Sequence, residues 1–243
     1  MQTVSLSLFH FPKPLSRLWV LGQMALARWD LQALDQAQFW KLCGSGTGEG
    51  FTPRPNTAVW AILAAWATPA VAKEQVADAK VYARWRAHAA ESYTIFLEPA
   101  SARGAWGGVA PFHPQGSLPD GPVAALTRAR VRPARMLKFW QRVPDISSVI
   151  GADPNVIFKI GIGEVPLVQQ ITFSIWPDTA SMAHFARGDG PHGRAIRAVR
   201  DGNWFAEELY ARFRLTGTTG TWGGRDPLAP HLTNRQDQDK DAA

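Results

Sequence analysis

Residues 91–108 read ESYTIFLEPASARGAWGG and residues 207–224 read EELYARFRLTGTTGTWGG, one strand-and-turn pattern written twice at an offset of 116. A repeat at that spacing is the mark of an internal duplication, in which one supersecondary unit is used twice. The chain is therefore expected to consist of two halves of one architecture. The places where the copies differ are where a site is expected.

Working outward from the first copy, Thr3–Phe11 alternates Val4, Leu6 and Leu8 with Ser5, Ser7 and Phe9, a strand with one polar-leaning face that Pro12 and Pro14 end. Leu18, Leu21, Met24, Ala25 and Leu31 recur at near-helical spacing and predict a helix over Leu15–Leu34. Phe39–Cys43 reads as extended, GSGTGEG at 44–50 as a turn-rich link, Ala58–Trp66 as a buried strand and Pro69–His88 as an Ala-rich helix. With Ser92–Pro99 as the closing strand, the order is β-α-β-β-α-β, the ferredoxin-like split motif. In the second half, strands are expected at Val131–Phe139, Val156–Ile162, Gln169–Trp176 and Leu209–Leu215, with helical segments at Asp145–Ile150 and Thr179–Val199. The expected fold is α+β: two fused ferredoxin-like halves packed as an α+β barrel, with an apolar pocket between the sheets. The halves are taken as 1–108 and 128–226, joined by a linker at 109–127 and followed by a polar tail at 227–243 that is expected to be disordered.

Two further matches locate the differences. GTGE at 46–49 is paired with GIGE at 161–164, and AAWATPA at 64–70 with SIWPDTA at 174–180. Their offsets, 115 and 110, give the first copy five extra residues around FTPRPN at 51–56; from 110 to 116, the second copy gains six, in or near RGDGPHG at 187–193. Three glycines and a proline break a helix there, at a cost that wants a reason, and they set His192 at a renewed helix start.

The 243 residues carry 26 Lys and Arg against 20 Asp and Glu, a net charge of +6 that admits nucleic acid, an anionic membrane or an acidic protein as partner. The densest basic stretch, Arg128, Arg130, Arg132, Arg135, Lys138 and Arg142, is read as a solvated strand face suited to an acidic electron donor or anionic lipid; no nucleic-acid signature accompanies it. A lone cysteine excludes a disulfide framework and points to a reducing, cytoplasmic setting. The most apolar stretch, Thr57–Ala72, is cut by Pro69 and is shorter than the roughly 20 residues of a membrane span, so a soluble or peripheral protein is expected. Eleven tryptophans suggest an aromatic-lined cavity, with Trp40, Trp60, Trp66 and Trp176 as candidates.

Common chemistries are excluded by motif. GSGTGEG lacks the Lys-Ser/Thr of a phosphate loop and does not fit a dinucleotide fingerprint, and neither a zinc pattern nor a serine-nucleophile elbow occurs. Histidines remain. His184 and His192 lie eight apart in the interrupted helical region, where a neutral imidazole suits haem iron, and Arg194 and Arg197 stand beyond His192 as partners for propionates. Cys43 is the alternative axial ligand; its match to Phe158 in the GxGE alignment favours a buried packing role.

RLWVLGQM at 17–24, FWKLCGSGTGEGFTPRPN at 39–56, VWAILAAW at 59–66 and FARGDGPHGRAIRAVRDGNWFAEELYARF at 185–213 closely resemble the spheroidene monooxygenase family, the acyclic carotenoid 2-ketolases of purple photosynthetic bacteria. The resemblance runs to about Pro230. It implies a haem b monooxygenase that introduces a keto group at C-2 of an acyclic carotenoid with O2 and reduced ferredoxin, working at the membrane that holds its substrate. The rival expectations are a cofactor-free oxygenase on the same barrel and a non-catalytic carrier of haem or a lipophile.

Overall fold

The computed structural model describes residues 1–47, 52, 54–118, 121–141, 154–165, 167–187 and 204–232. Eight antiparallel strands close a barrel: β1 Thr3–His10, β2 Ala37–Gly46, β3 Pro55–Trp66, β4 Glu91–Gly104, β5 Val123–Val131, β6 Phe158–Gly163, β7 Gln169–Trp176 and β8 Phe205–Gly220. Around the ring they run β1-β3-β2-β6-β7-β5-β8-β4, so each half contributes the ferredoxin-like order 4-1-3-2 and the two meet at β2–β6 and β4–β8. Helices α1 Pro14–Gln32, α2 Pro69–Asp78 and α3 Lys80–His88 cover the first half; α4, described over 136–141, and α5 Thr179–Arg187 belong to the second.

The alternation expected for β1 holds, with a difference in what its polar face meets. Val4, Leu6 and Leu8 point into the barrel, while Ser5, Ser7 and Phe9 face the helices and are equally buried. The serines satisfy themselves there: Ser7 Oγ lies 2.7 Å from Thr94 Oγ1, and Ser5 Oγ accepts from Trp66 Nε1 at 2.9 Å. The expected helix at Pro69–His88 is two, divided at Ala79, whose backbone is extended. Both halves open their first post-tryptophan helix with a side-chain cap, Thr68 accepting from Val71 N and Asp178 from Ser181 N.

Four expectations are corrected. The first strand of the second half is Val123–Val131, which begins within the stretch taken as linker, and Pro133 turns the chain into a 3-10 turn and then α4 where a strand was expected. The GxGE match is out of register: Phe158 pairs with Ile175 as Phe39 does with Ala65, so Gly163 corresponds to Gly44 and Cys43 to Ile162. The barrel interior is not a pocket, because Leu6, Ile95, Leu126, Phe173, Phe213 and their neighbours fill it. Finally, the tail does not begin at 227. GxWGGxxP continues from 104–111 to 220–227, and the next residue in each copy, Phe112 or Leu228, is buried in the barrel. Residues 233–243 and the expected helix at Asp145–Ile150 lie outside the described residues.

The repeat at 91–108 and 207–224 forms two clasps. Gly107 N and Gly108 N donate to Glu207, and Gly223 N and Gly224 N to Glu91, all at 2.8–3.0 Å. Each clasp is preceded by a glycine in the left-handed region, Gly104 at φ 100° and Gly220 at φ 86°. An added Cβ would stand 2.1 Å from the Glu208 carbonyl or 2.1 Å from that of Ser92. Only glycine fits either place.

Candidate active site

The site is built where the two halves meet least. Among the described residues β2 pairs with β6 only at Gly44↔Gly163 and Ser45↔Ile162, whereas β4 pairs with β8 from Tyr93↔Gly220 to Gly104↔Leu209. Outside that short seam lies a groove of about 520 Å³, floored by Gly44 and Gly163. Side chains are absent there for a reason: a Cβ on Gly163 would sit 2.4 Å from the Gln169 carbonyl. Trp60 and Trp140 form indole walls, with Leu21 and Met24 of α1 on one rim and Leu167 on the other. Both indoles are anchored, Trp60 Nε1 donating to Thr57 O at 2.8 Å and Trp140 Nε1 to Leu167 O at 3.0 Å. Leu167 is held at φ 68°, a conformation that costs a branched residue on the order of 1 kcal/mol and recurs at functional loops.

Glu164 brings charge to the groove from an ion cluster at the adjoining barrel end. It accepts from Trp106 Nε1 at 2.6 Å and pairs with Lys41 Nζ at 3.0 Å, while Arg128 Nη2 stands 4.0 Å away. Arg128 also pairs with Glu207, and its guanidinium lies 5.6 Å from the Trp106 ring centroid. Burial pushes the Glu207 carboxyl up, but the Gly107 and Gly108 amides and Arg128 outweigh it and hold it below the usual carboxylate range. Arg128, expected on a solvated face, is 2% exposed; strand parity puts it with Ala124 and Leu126, inside. Arg130 and Arg132 of the same stretch are exposed.

Of the residues anticipated from sequence, only some are described. His192, Arg194 and Arg197 lie outside the described residues. His184 is exposed on α5. Cys43 is fully buried in the barrel, and burial, aided by Glu164, pushes its thiol far up, so it is held as the neutral thiol. Of the four tryptophans singled out, Trp60 lines the groove; Trp66 and Trp176 are buried beneath helices, and Trp40 packs at the edge of the outer cluster. Trp140, Leu167, Glu164 and Arg128 were missed. The parity of β5 was a readable signal for the last of these.

A relative named spheroidene monooxygenase from Rhodobacter capsulatus is 57% identical over 239 residues, 97% of this chain and 99% of its own. The chain belongs to the spheroidene monooxygenase family. Members from Cereibacter sphaeroides and Rubrivivax gelatinosus are 55% and 32% identical, covering 97% and 87% of this chain and 73% and 82% of their own. Membership in the spheroidene monooxygenases makes this protein an oxidoreductase, a carotenoid monooxygenase. No family model matches the chain. Among solved structures, an aldoxime dehydratase in complex with butyraldoxime superposes with a TM-score of 0.64 at 8% identity, over 96% of this chain and 85% of its own, and a second aldoxime dehydratase gives 0.58 at 10%, over 88% and 82%. That likeness supports the fold alone. No described helix is long and apolar enough to cross a membrane.

Proposed function

We propose that this protein is a haem b-dependent ketolase acting at C-2 of acyclic carotenoids of the spheroidene type, with O2 and reduced ferredoxin, at the cytoplasmic face of the membrane. The observation that carries the reading is the groove at the β2–β6 seam: a glycine floor between two anchored indoles suits a rigid apolar polyene. Each oxygenation would take one O2, two electrons and two protons and release one water. The first gives the alcohol, the second a geminal diol that loses water to the ketone.

The chain also fits a flat apolar cofactor. The outward positions of β5 and β7 carry short side chains at Ala125, Thr127, Thr172 and Ser174. Among the described residues, apolar clusters flank this shelf, one around Val123, Trp176 and Met182, another around Val131, Phe139 and Trp204. His192 would be the iron ligand, with Arg194 and Arg197 for the propionates; His184 and Cys43 are the alternatives, and the packing of Cys43 inside the filled barrel supports imidazole over thiolate. When bound, haem supplies the oxygen-activating redox chemistry. The chain's own part is to hold the polyene against Trp60 and Trp140 and to keep water from the reacting carbon.

The purified protein is expected to show a Soret band. With O2 and reduced ferredoxin it should convert an acyclic carotenoid to a product with one oxygen more and two hydrogens fewer. A colourless protein that still turns over would replace haem by substrate-activated oxygen; haem without turnover would make it a carrier. His192→Ala is expected to abolish the Soret band, and its survival there with loss in His184→Ala or Cys43→Ala would move the ligand.

A further inference from the structure

Helix α1 presents an apolar surface to solvent. On its wheel the buried side is Val20, Gln23, Ala27 and Leu31, and the opposite side is Leu15, Leu18, Leu21, Gly22, Ala25, Leu26 and Trp29, all exposed. Leu15 is 81% exposed, Leu18 68% and Trp29 71%. An ordinary surface helix carries its charges on that side. Here Arg17 and Arg28 stand at its border, with Lys13 just before the helix. The helix's one acid, Asp30, is on the other border and ion-paired with Arg84. Across the groove the same character continues: Leu137, a turn before Trp140, is 74% exposed, Val165 and Leu167 are also solvent-facing, and Arg135 and Lys138 flank Leu137.

We propose that this face, the outer side of α1 together with Leu137, Val165 and Leu167, docks the protein on an anionic lipid bilayer, with the groove opening into the hydrocarbon between the two rims. The 19 residues of α1 span roughly 28 Å, and a helix with leucine and tryptophan on one side and cations at the border lies in the plane of a membrane interface. Charge selects the occupant. Phosphate headgroups complement Lys13, Arg17, Arg28 and Lys138, whereas a second copy would bring the same cations and no unpaired acid of α1 to meet them. Leu21 belongs both to this face and to the lining of the groove, so a lipid-borne molecule would pass from bilayer to groove without crossing water. The route into the groove rests on the carotenoid reading; the docking rests on the helix face alone.

Co-sedimentation with vesicles of phosphatidylcholine containing about one-third phosphatidylglycerol tests it, using the full chain with its cofactor. Wild type is expected to bind these vesicles and to lose at least about tenfold in affinity on pure phosphatidylcholine. The double variant Leu18→Gln/Trp29→Gln should lose at least about tenfold on anionic vesicles, its far-UV circular dichroism unchanged because both side chains already face solvent. Undiminished binding by that variant, or no binding by wild type, overturns the proposal. A wild-type dimer that the variant converts to monomer, without vesicle binding, assigns the face to a second copy instead. The carotenoid reading is tested apart: the variant should keep turnover of detergent-dispersed carotenoid and lose it for carotenoid in vesicles. Vesicle binding without turnover in either form leaves the docking standing and removes the substrate.

Discussion

The two ends of the barrel are made from one repeated sequence and are filled differently. At each end a tryptophan-glycine-glycine turn is clasped by a glutamate, and a residue after the following proline plugs the interior: Glu207 with Phe112 at one, Glu91 with Leu228 at the other. By strand register, however, Leu8 faces Tyr93 where Arg128 faces Leu209. The first end closes on hydroxyls and two acids, Glu91 in the clasp and Asp226, which accepts from Tyr93 Oη at 2.6 Å and from Thr218 Oγ1 at 2.5 Å. The second holds a buried guanidinium, two carboxylates and Lys41 within reach of the groove. Features common to the ends make the barrel; the buried arginine, found among the described residues at one end only, stands beside the groove.

If the clasp is what the repeat encodes, breaking it should hurt both ends alike. Gly104→Ala and Gly220→Ala each force a Cβ onto a backbone carbonyl in a left-handed conformation, and each is expected to destabilise by about 3–4 kcal/mol in urea unfolding. A difference of more than about 2 kcal/mol between them would show that the clasps are not equivalent.

Arg128→Leu gives the second end the residue of the first. It strands Glu207 and Glu164 without their guanidinium and should cost about 3 kcal/mol at pH 7, with part regained in Arg128→Leu/Glu207→Gln. No loss would mean that the ion cluster is dispensable for folding and the ends differ only in chemistry.

The smallest effect is in acid. Glu91 and Glu207 both titrate below their ordinary value: burial raises each, and the glycine amides, joined by Thr221 and His10 or by Arg128, prevail. A depressed folded value means stability that is present above the unfolded value, about 4.3, and lost as pH falls through the folded one. Unfolding free energy should therefore drop below about pH 4.5, and Glu91→Gln should flatten that slope. An unchanged slope would show the Glu91 clasp contributes nothing to acid sensitivity.

Much of the barrel was legible because the closing strands and the tryptophans Trp66 and Trp176 carry the repeat in side chains whose burial is the same in both copies. What misled was charge and composition. An arginine in an alternating strand reads as solvent-facing, though Leu126 two residues earlier gave its side; and a glycine-rich run such as GTGE aligns with GIGE by composition when register differs by four. The groove depends on residues from α1, β2, β3, β6, α4 and the loop at Leu167, which no local pattern brings together. The plug at Leu228 was readable, since the repeat continues past the second tryptophan to a shared proline.

Gly44 meeting Gly163 across the short seam, with β4 and β8 paired reciprocally on the far side, is the geometry of a two-fold homodimer whose subunits are covalently joined. In a true homodimer the position held by Leu8 and by Arg128 would be a single codon, and a buried cation would have to enter both ends or neither. Fusion into one chain frees the two positions to diverge, so that one can stay a leucine while the other becomes a buried cation.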